Sequence, residues 1–335
     1  MNSITRRNFL GTTAGVVSAG SVASLGVAGL ASSAAAAEAA AAARPPKSIR
    51  VGMLTAPLQD RPFDAVLDLA KRCQISALEV LTEPGRPHID PLKFGPAQAD
   101  TIKQALASRG LEISALSNFM NITTPGKSAE VQQAMIKTVD AAVLLGLTTV
   151  CMNLGSPVPG MSKIDTIKNV TPKLFRPIID HARGKGIRVG IENWWETCLQ
   201  GLDTFDCLME TVRDDNFGLN YDPSHLVFQG CDYTAPVRMF GKRIFHTHAK
   251  DTIVNEHQRV YLGVLGGKPY AGASGGGWWR YTIPGFGDIH WGRYIGCLRE
   301  VGYKGVLSVE HEDDTLGTEE GFRHGARYLN QFCNG

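Results

Sequence analysis

The sequence predicts a single eight-stranded (β/α)8 barrel, and three observations carry that prediction. Eight short runs rich in Val, Ile and Leu recur between residues 49 and 310, as strands buried on both faces require. Longer stretches with apolar residues at helical spacing separate them. Several of those stretches end in a glycine just before the next apolar run, at Gly110, Gly146, Gly186 and Gly302. A glycine there lets a helix terminate in the left-handed conformation at little cost. Eight such units in about 290 residues match a (β/α)8 barrel.

The strand candidates, in order, are Ile49–Leu54, Ala77–Leu81, Glu112–Leu116, Thr149–Asn153, Arg188–Glu192, Phe217–Tyr221, Ile244–His248 and Val306–Glu310. The helix candidates between and after them are Phe63–Arg72, Ala97–Ser108, Ala129–Leu145, Pro172–Lys185, Leu202–Arg213, Thr234–Phe240, Trp291–Val301 and Glu320–Phe332. A doubly wound open sheet is the alternative. It would usually place a Gly-rich phosphate turn after the first strand, whereas Leu54-Thr55-Ala56-Pro57 follows here. The connection from His248 to Trp291 is long and holds Gly263, Gly266, Gly267, Gly272, Gly275, Gly276 and Gly277. A loop of that length in a compact domain is usually functional or mobile, so a lid or substrate loop is expected there.

The N-terminus reads as a separate segment. Thr5-Arg6-Arg7-Asn8-Phe9-Leu10 precedes an uncharged Ala/Gly/Ser/Val run that reaches Ala37. This resembles a twin-arginine export signal. Residues 1–37 are therefore expected to be a signal, cleaved after Ala35-Ala36-Ala37, with 38–47 as a linker and 48–335 as the barrel. An uncleaved membrane anchor is the bland alternative; the run is long enough but poor in Leu, Ile and Phe. Export through the twin-arginine translocase implies a periplasmic or otherwise exported protein. The seven cysteines are odd in number, widely spaced and form no C-x-x-C, which argues against a disulfide framework or a cysteine zinc site. The formal net charge of +2 gives no field that points to nucleic acid.

Active sites of parallel barrels lie at the C-terminal ends of the strands. Four consecutive strand ends there carry acids or histidines: Glu192, Asp222, His248 and Glu310. Any one of them alone would read as a loop anchor. Together, uncompensated, the three carboxylates would repel one another, and a divalent cation is the simplest compensation. The mostly oxygen shell suits Mn2+, with Mg2+, Co2+ or Zn2+ as alternatives. Trp194 and Trp195 follow a ligand and read equally as a sugar-stacking wall or as plain packing.

The motifs Ile191-Glu192-Asn193, Asp222-Pro223-Ser224-His225-Leu226, His246-Thr247-His248-Ala249-Lys250-Asp251, Ile283-Pro284-Gly285-Phe286-Gly287 and Val309-Glu310-His311-Glu312-Asp313 occur in that order. Taken together they resemble the sugar phosphate isomerase/epimerase family of the xylose isomerase-like barrels. The resemblance implies that Glu192 and Glu310 bind the metal and also form the acid/base pair, with Asp222 and His248 as pure ligands. It implies substrate contacts for His225, Lys250 and Arg280, with pairing to Asp251 as the other expectation for Lys250. One departure from the family pattern is His290 in place of an Asp before the aromatic Trp291.

Such a site would abstract a proton beside a carbonyl, with an ene-diolate stabilised by the cation. Return of the proton gives a sugar isomerase or epimerase; expulsion of a β-substituent gives a lyase acting on 3-keto-glycosides. An exported sugar-binding barrel without turnover is the non-enzymatic alternative, and retention of both Glu192 and Glu310 opposes it. A metal-dependent endonuclease would need further histidines for its metal cluster. The implied partner is a small-molecule sugar. A homodimer is compatible with the sequence, although no seam is legible in it.

Overall fold

The computed structural model describes residues 49–266 and 277–333. The signal and linker expected over residues 1–47 lie outside the described residues, as does 267–276 of the glycine-rich connection. In chain order the elements are β1 (Arg50–Leu54), α1 (Phe63–Arg72), β2 (Ala77–Leu81), α2 (Pro96–Ala107), β3 (Glu112–Asn118), α3 (Ser128–Leu145) and β4 (Thr149–Asn153). There follow α4 (Lys163–Asn169), α5 (Thr171–Gly184), β5 (Arg188–Glu192), α6 (Leu202–Thr211), β6 (Phe217–Tyr221), α7 (Ser224–Val227), α8 (Ala235–Phe240) and β7 (Ile244–Ala249). The last are β8 (Asp251–Val254), α9 (Glu256–Leu262), β9 (Trp279–Thr282), α10 (Trp291–Glu300), β10 (Val306–Val309) and α11 (Thr318–Cys333).

Strands β1–β7 and β10 close a barrel in the order β1-β10-β7-β6-β5-β4-β3-β2, and neighbouring strands run parallel. The predicted barrel is therefore the fold, and all eight predicted strands lie within two residues of the observed ones. Every residue of β2, β4 and β6 is buried, as strands covered by helices on one side and by the barrel interior on the other must be. Gly146 takes φ 76 after α3, and its N–H returns to Ala142 and Val143 carbonyls, which turns the chain into β4. All seven cysteines are free, and only Cys231 is partly exposed; all but Cys151 pack as small hydrophobes in or against the core, whereas Cys151 lies beside Glu79 and His246. Among the described residues no helix is long and apolar enough to cross a membrane.

The fold adds to the sequence reading the short helices α4, α7 and α9 and a second, two-stranded sheet. Part of the long connection forms an antiparallel hairpin, β8 with β9, in which Asp251 pairs with Thr282 and Val254 with Trp279. The two short strands are far apart in sequence and share no tight-turn signature, so no local pattern announces their pairing. The hairpin carries Trp278, Trp279 and Tyr281 into a small apolar cluster with Trp195 and Phe228. Phe228 and Trp279 stack at 3.7 Å between ring centroids.

Candidate metal centre

Each motif folds for a local reason. In β5–β6 the Asn of Ile191-Glu192-Asn193 holds the next strand end: Asn193 Nδ2 donates to the Asp222 carbonyl (2.7 Å) and Asn193 Oδ1 accepts the Asp222 N–H (2.9 Å). Asp222 Oδ1 then accepts the Ser224 N–H at 2.8 Å, a turn that Asp favours. Its other oxygen, Oδ2, lies 3.3 Å from His225 Nε2 and 3.3 Å from Lys250 Nζ. In β7, alternation sends His246 and His248 to the interior and Thr247 outward, where Thr247 Oγ1 donates to the Tyr221 carbonyl (2.6 Å).

Asp251 turns away from Lys250 and anchors the Pro284-Gly285-Phe286-Gly287 segment. It accepts the Gly285 N–H (3.0 Å), the Ile289 N–H (3.0 Å) and the Trp291 Nε1–H (2.8 Å). A Cβ at Gly287 would lie 2.4 Å from Asp251 Oδ1, so this anchor requires glycine at that position. Pairing of Lys250 with Asp251, one of the two expectations for Lys250, is thus not what forms. His290, the departure from the family pattern, caps α10 as an Asp would: its Nδ1 accepts the Arg293 N–H at 3.1 Å.

The four expected ligands come together. Glu192, Asp222, His248 and Glu310 are all buried and offer ligand atoms that lie within 4.8 Å of one another. Glu192 Oε1 is 2.9 Å and Glu310 Oε2 3.0 Å from His248 Nδ1, with Asp222 Oδ2 at 4.0 Å. Asp222 Oδ2 and Glu310 Oε2 are buried without a hydrogen bond of normal geometry. Three buried carboxylates around one imidazole repel one another at close range, and a cation held by these four side chains would compensate them.

Lys250 is the other charge of the cluster. Its Nζ lies 2.9 Å from Glu310 Oε2, 3.3 Å from Asp222 Oδ2 and 3.2 Å from Glu312 Oε2, and 4.5 Å from the Tyr281 ring centroid. The carboxylates divide accordingly. Burial pushes the Glu192 carboxyl up to about 7, and the Glu310 charge adds to this against the pull of His248 and Lys250. Burial also opposes ionisation of Glu310, but Lys250 and His248 outweigh it and hold its carboxyl well below the usual range. Two titratable groups pushed apart by their surroundings are the pattern of an acid/base pair.

Of this cluster, Glu192, Lys250, Glu310 and Glu312 line a cavity of about 670 Å³. Of the expected substrate residues, Trp195, His225 and Lys250 face it, together with Tyr281, Phe119 and Trp194. His225 Nδ1 meets the Tyr281 hydroxyl at 2.6 Å, and its Nε2 lies 3.3 Å from Asp222 Oδ2. Arg280 is placed otherwise. Its Nη1 lies 3.3 Å from Asp313 Oδ1, and it is not among the cavity-lining side chains. Tyr281 escaped sequence reasoning because it sits on β9, whose pairing has no local signal.

One further buried carboxyl lies behind the ligands. Glu79 on β2 is fully buried, and its Oε2 lies 3.0 Å from His248 Nε2. Burial opposes its ionisation, yet His248, His246 and the Ser117 hydroxyl bring its carboxyl down to about 2.

A model of the xylose isomerase-like TIM barrel family matches residues 67–332. The chain belongs to that family. Its relatives include Bacillus subtilis YfiH, 26% identical over 84% of this chain and 99% of its own length. An inosose dehydratase of Clostridium perfringens is 25% identical over 65% of this chain and 75% of its own. Solved structures with the same fold include D-psicose 3-epimerase in the presence of D-fructose (TM-score 0.64, 15% identity, 86% of this chain and 100% of that one). The E. coli 3-keto-D-glucoside 4-epimerase YcjR (TM-score 0.63, 13% identity, 84% and 99%) and an IOLI protein with a bound zinc atom (TM-score 0.64, 17% identity, 85% and 99%) are similar as well. At those identities the structures establish the fold alone.

Proposed function

We propose that this chain is a divalent-metal-dependent enzyme that moves a proton beside the carbonyl of a sugar or keto-sugar, as an isomerase or epimerase. The observation that carries the reading is the convergence of Glu192 and Glu310 on one imidazole nitrogen, at 2.9 and 3.0 Å from His248 Nδ1, beside a cavity of sugar size. Glu192, Asp222, His248 and Glu310 would hold the cation, with Mn2+ preferred for so oxygen-rich a set. Bound there, a divalent ion would supply polarisation of the carbonyl oxygen. Glu192 and Glu310 are the pair that passes a proton out and in. His225 and Lys250 orient substrate oxygens, and Trp195 with Tyr281 supplies an apolar wall for a sugar ring.

The substrate in this reading is uncharged. The cavity lining includes the carboxylates of Glu196, Glu312 and Asp313, while Lys250 already pairs with three acids. Such a lining repels a phosphate. Free sugars and keto-glycosides also suit an exported location, which we propose from the resemblance of the N-terminus to a twin-arginine signal.

The test is solvent deuterium exchange. Metal-loaded protein incubated in D2O with free ketoses and 3-keto-glucosides should place deuterium beside the carbonyl, read by NMR. Bound metal without exchange on any of these substrates would turn the reading toward a binding protein. The similarity to inosose dehydratases favours one second reading, elimination of a β-substituent after the same proton abstraction. Release of the aglycone from a 3-keto-glucoside would select it.

A further inference from the structure

We infer that Glu79, 169 residues from His248 in sequence, is the positioning residue that fixes His248 for metal binding. The inference rests on the metal reading above and concerns how the imidazole is presented. His248 Nδ1 faces Glu192 and Glu310, so Nδ1 is the nitrogen that would meet a cation. A neutral imidazole that ligates through Nδ1 must carry its proton on Nε2. Around Nε2 the structure offers Glu79 Oε2 and Asn220 Nδ2, each at 3.0 Å. The Asn220 amide nitrogen is a donor and donates to Glu79 Oε1 at 3.3 Å. Glu79 is therefore the acceptor for the Nε2 proton.

The carboxylate is itself held in place. Ser117 Oγ donates to Glu79 Oε1, and Asn220 is fixed by its Oδ1, 3.1 Å from His246 Nδ1. His246 Nε2 is in turn 3.0 Å from Ser114 Oγ. All of these groups except Ser114 are buried. A carboxylate behind a ligating imidazole fixes its tautomer, orients the ring and raises its basicity. A buried charge is expensive unless a specific partner uses it, and Glu79 lines no part of the cavity. Its Oε2 faces His246 at 3.6 Å and His248, its nearer partner, at 3.0 Å.

The test measures metal affinity of the full chain by competition with a chelator for Mn2+ and Zn2+, alongside the melting temperature of the metal-free protein. Glu79→Gln keeps an acceptor but removes the charge and should weaken binding about tenfold. Glu79→Leu removes the acceptor and should weaken it toward 100-fold. With Co2+ bound, both variants should shift the visible absorption bands. Ser117→Ala, which leaves the Oε2 contact in place, should stay close to the wild-type affinity. Wild-type affinity and an unchanged Co2+ spectrum in Glu79→Gln, with only the melting temperature lowered, would make Glu79 a structural residue and overturn the inference. A loss in Ser117→Ala equal to that in Glu79→Gln would do the same. Metal that binds the wild type and the variants alike defeats this inference alone, whereas a wild type that binds no metal defeats the reading beneath it too.

Discussion

Lys250 Nζ lies 2.9 Å from Glu310 Oε2, with both side chains almost wholly buried. The pair places one fixed positive charge inside a cluster that also holds Asp222 and Glu192, and it separates the two glutamates electrostatically. Lys250→Met would leave Asp222 and Glu310 buried without their cationic partner. Breaking a buried pair on one side costs about 3–5 kcal/mol, so unfolding of the metal-free variant by urea should show a loss of that order. Saturating Mn2+ should recover part of it. A midpoint that matches the wild type would mean that the pair carries no weight in stability.

Metal affinity should depend on pH through Glu192. Its carboxyl is pushed up to about 7, chiefly by burial and then by the Glu310 charge, whereas an exposed Glu titrates near ~4.3. Between those values the native chain holds a proton that the unfolded chain has released. This contribution therefore stabilises the fold at low pH and is lost as pH rises toward 7. A cation competes for the same oxygen, so affinity should weaken by about tenfold per pH unit between pH 7 and 5. Titrations at several pH values check the slope, which Glu192→Gln should flatten.

Proton transfer should fail separately from folding. Glu192→Gln and Glu310→Gln remove the acid/base groups, and each should slow deuterium exchange by roughly 10²–10⁴-fold. Asp222→Ala and His248→Ala should lose bound metal first, read by elemental analysis of the purified protein. Unchanged metal content in both of the latter would mean that the four residues are not the ligand set.

Trp195→Ala should weaken sugar binding without touching the ligand cluster. Trp195 lines the cavity and meets Trp279 edge-on at 6.4 Å. An aromatic contact of this kind is worth about 0.5–1.5 kcal/mol, so KM should rise about 2–13-fold with kcat little changed. If kcat falls and KM stays, Trp195 belongs to the chemistry instead of to the wall.

Gly218→Ala should destabilise the barrel without affecting ligand identity. An added Cβ in β6 would lie 2.1 Å from the Arg243 carbonyl oxygen and 2.7 Å from the Phe245 ring. The carbonyl is backbone and cannot swing aside, so overpacking should cost about 1–3 kcal/mol. A melting temperature at or above the wild-type value would show that β6 and β7 can separate freely.

The division between what was legible in the chain and what was not follows from the range of each interaction. The sequence alone determined the barrel, because apolar runs, helical spacing and terminal glycines are local signals, and strand alternation places Asp222, His248 and their neighbours on known sides. It also determined the four metal-ligand candidates, since strand ends in a parallel barrel meet at one rim whatever the loops do. Only the tertiary structure decided which side chains meet across the barrel. It gave Lys250 to Asp222, Glu310 and Glu312 and left Asp251 to anchor Gly285 and Trp291. It tied Arg280 to Asp313, set Tyr281 against His225 and brought Glu79 to His248 across 169 residues. Periodicity fixes the side to which a residue points, whereas its partner there depends on barrel closure and on a hairpin whose two strands share no local signal.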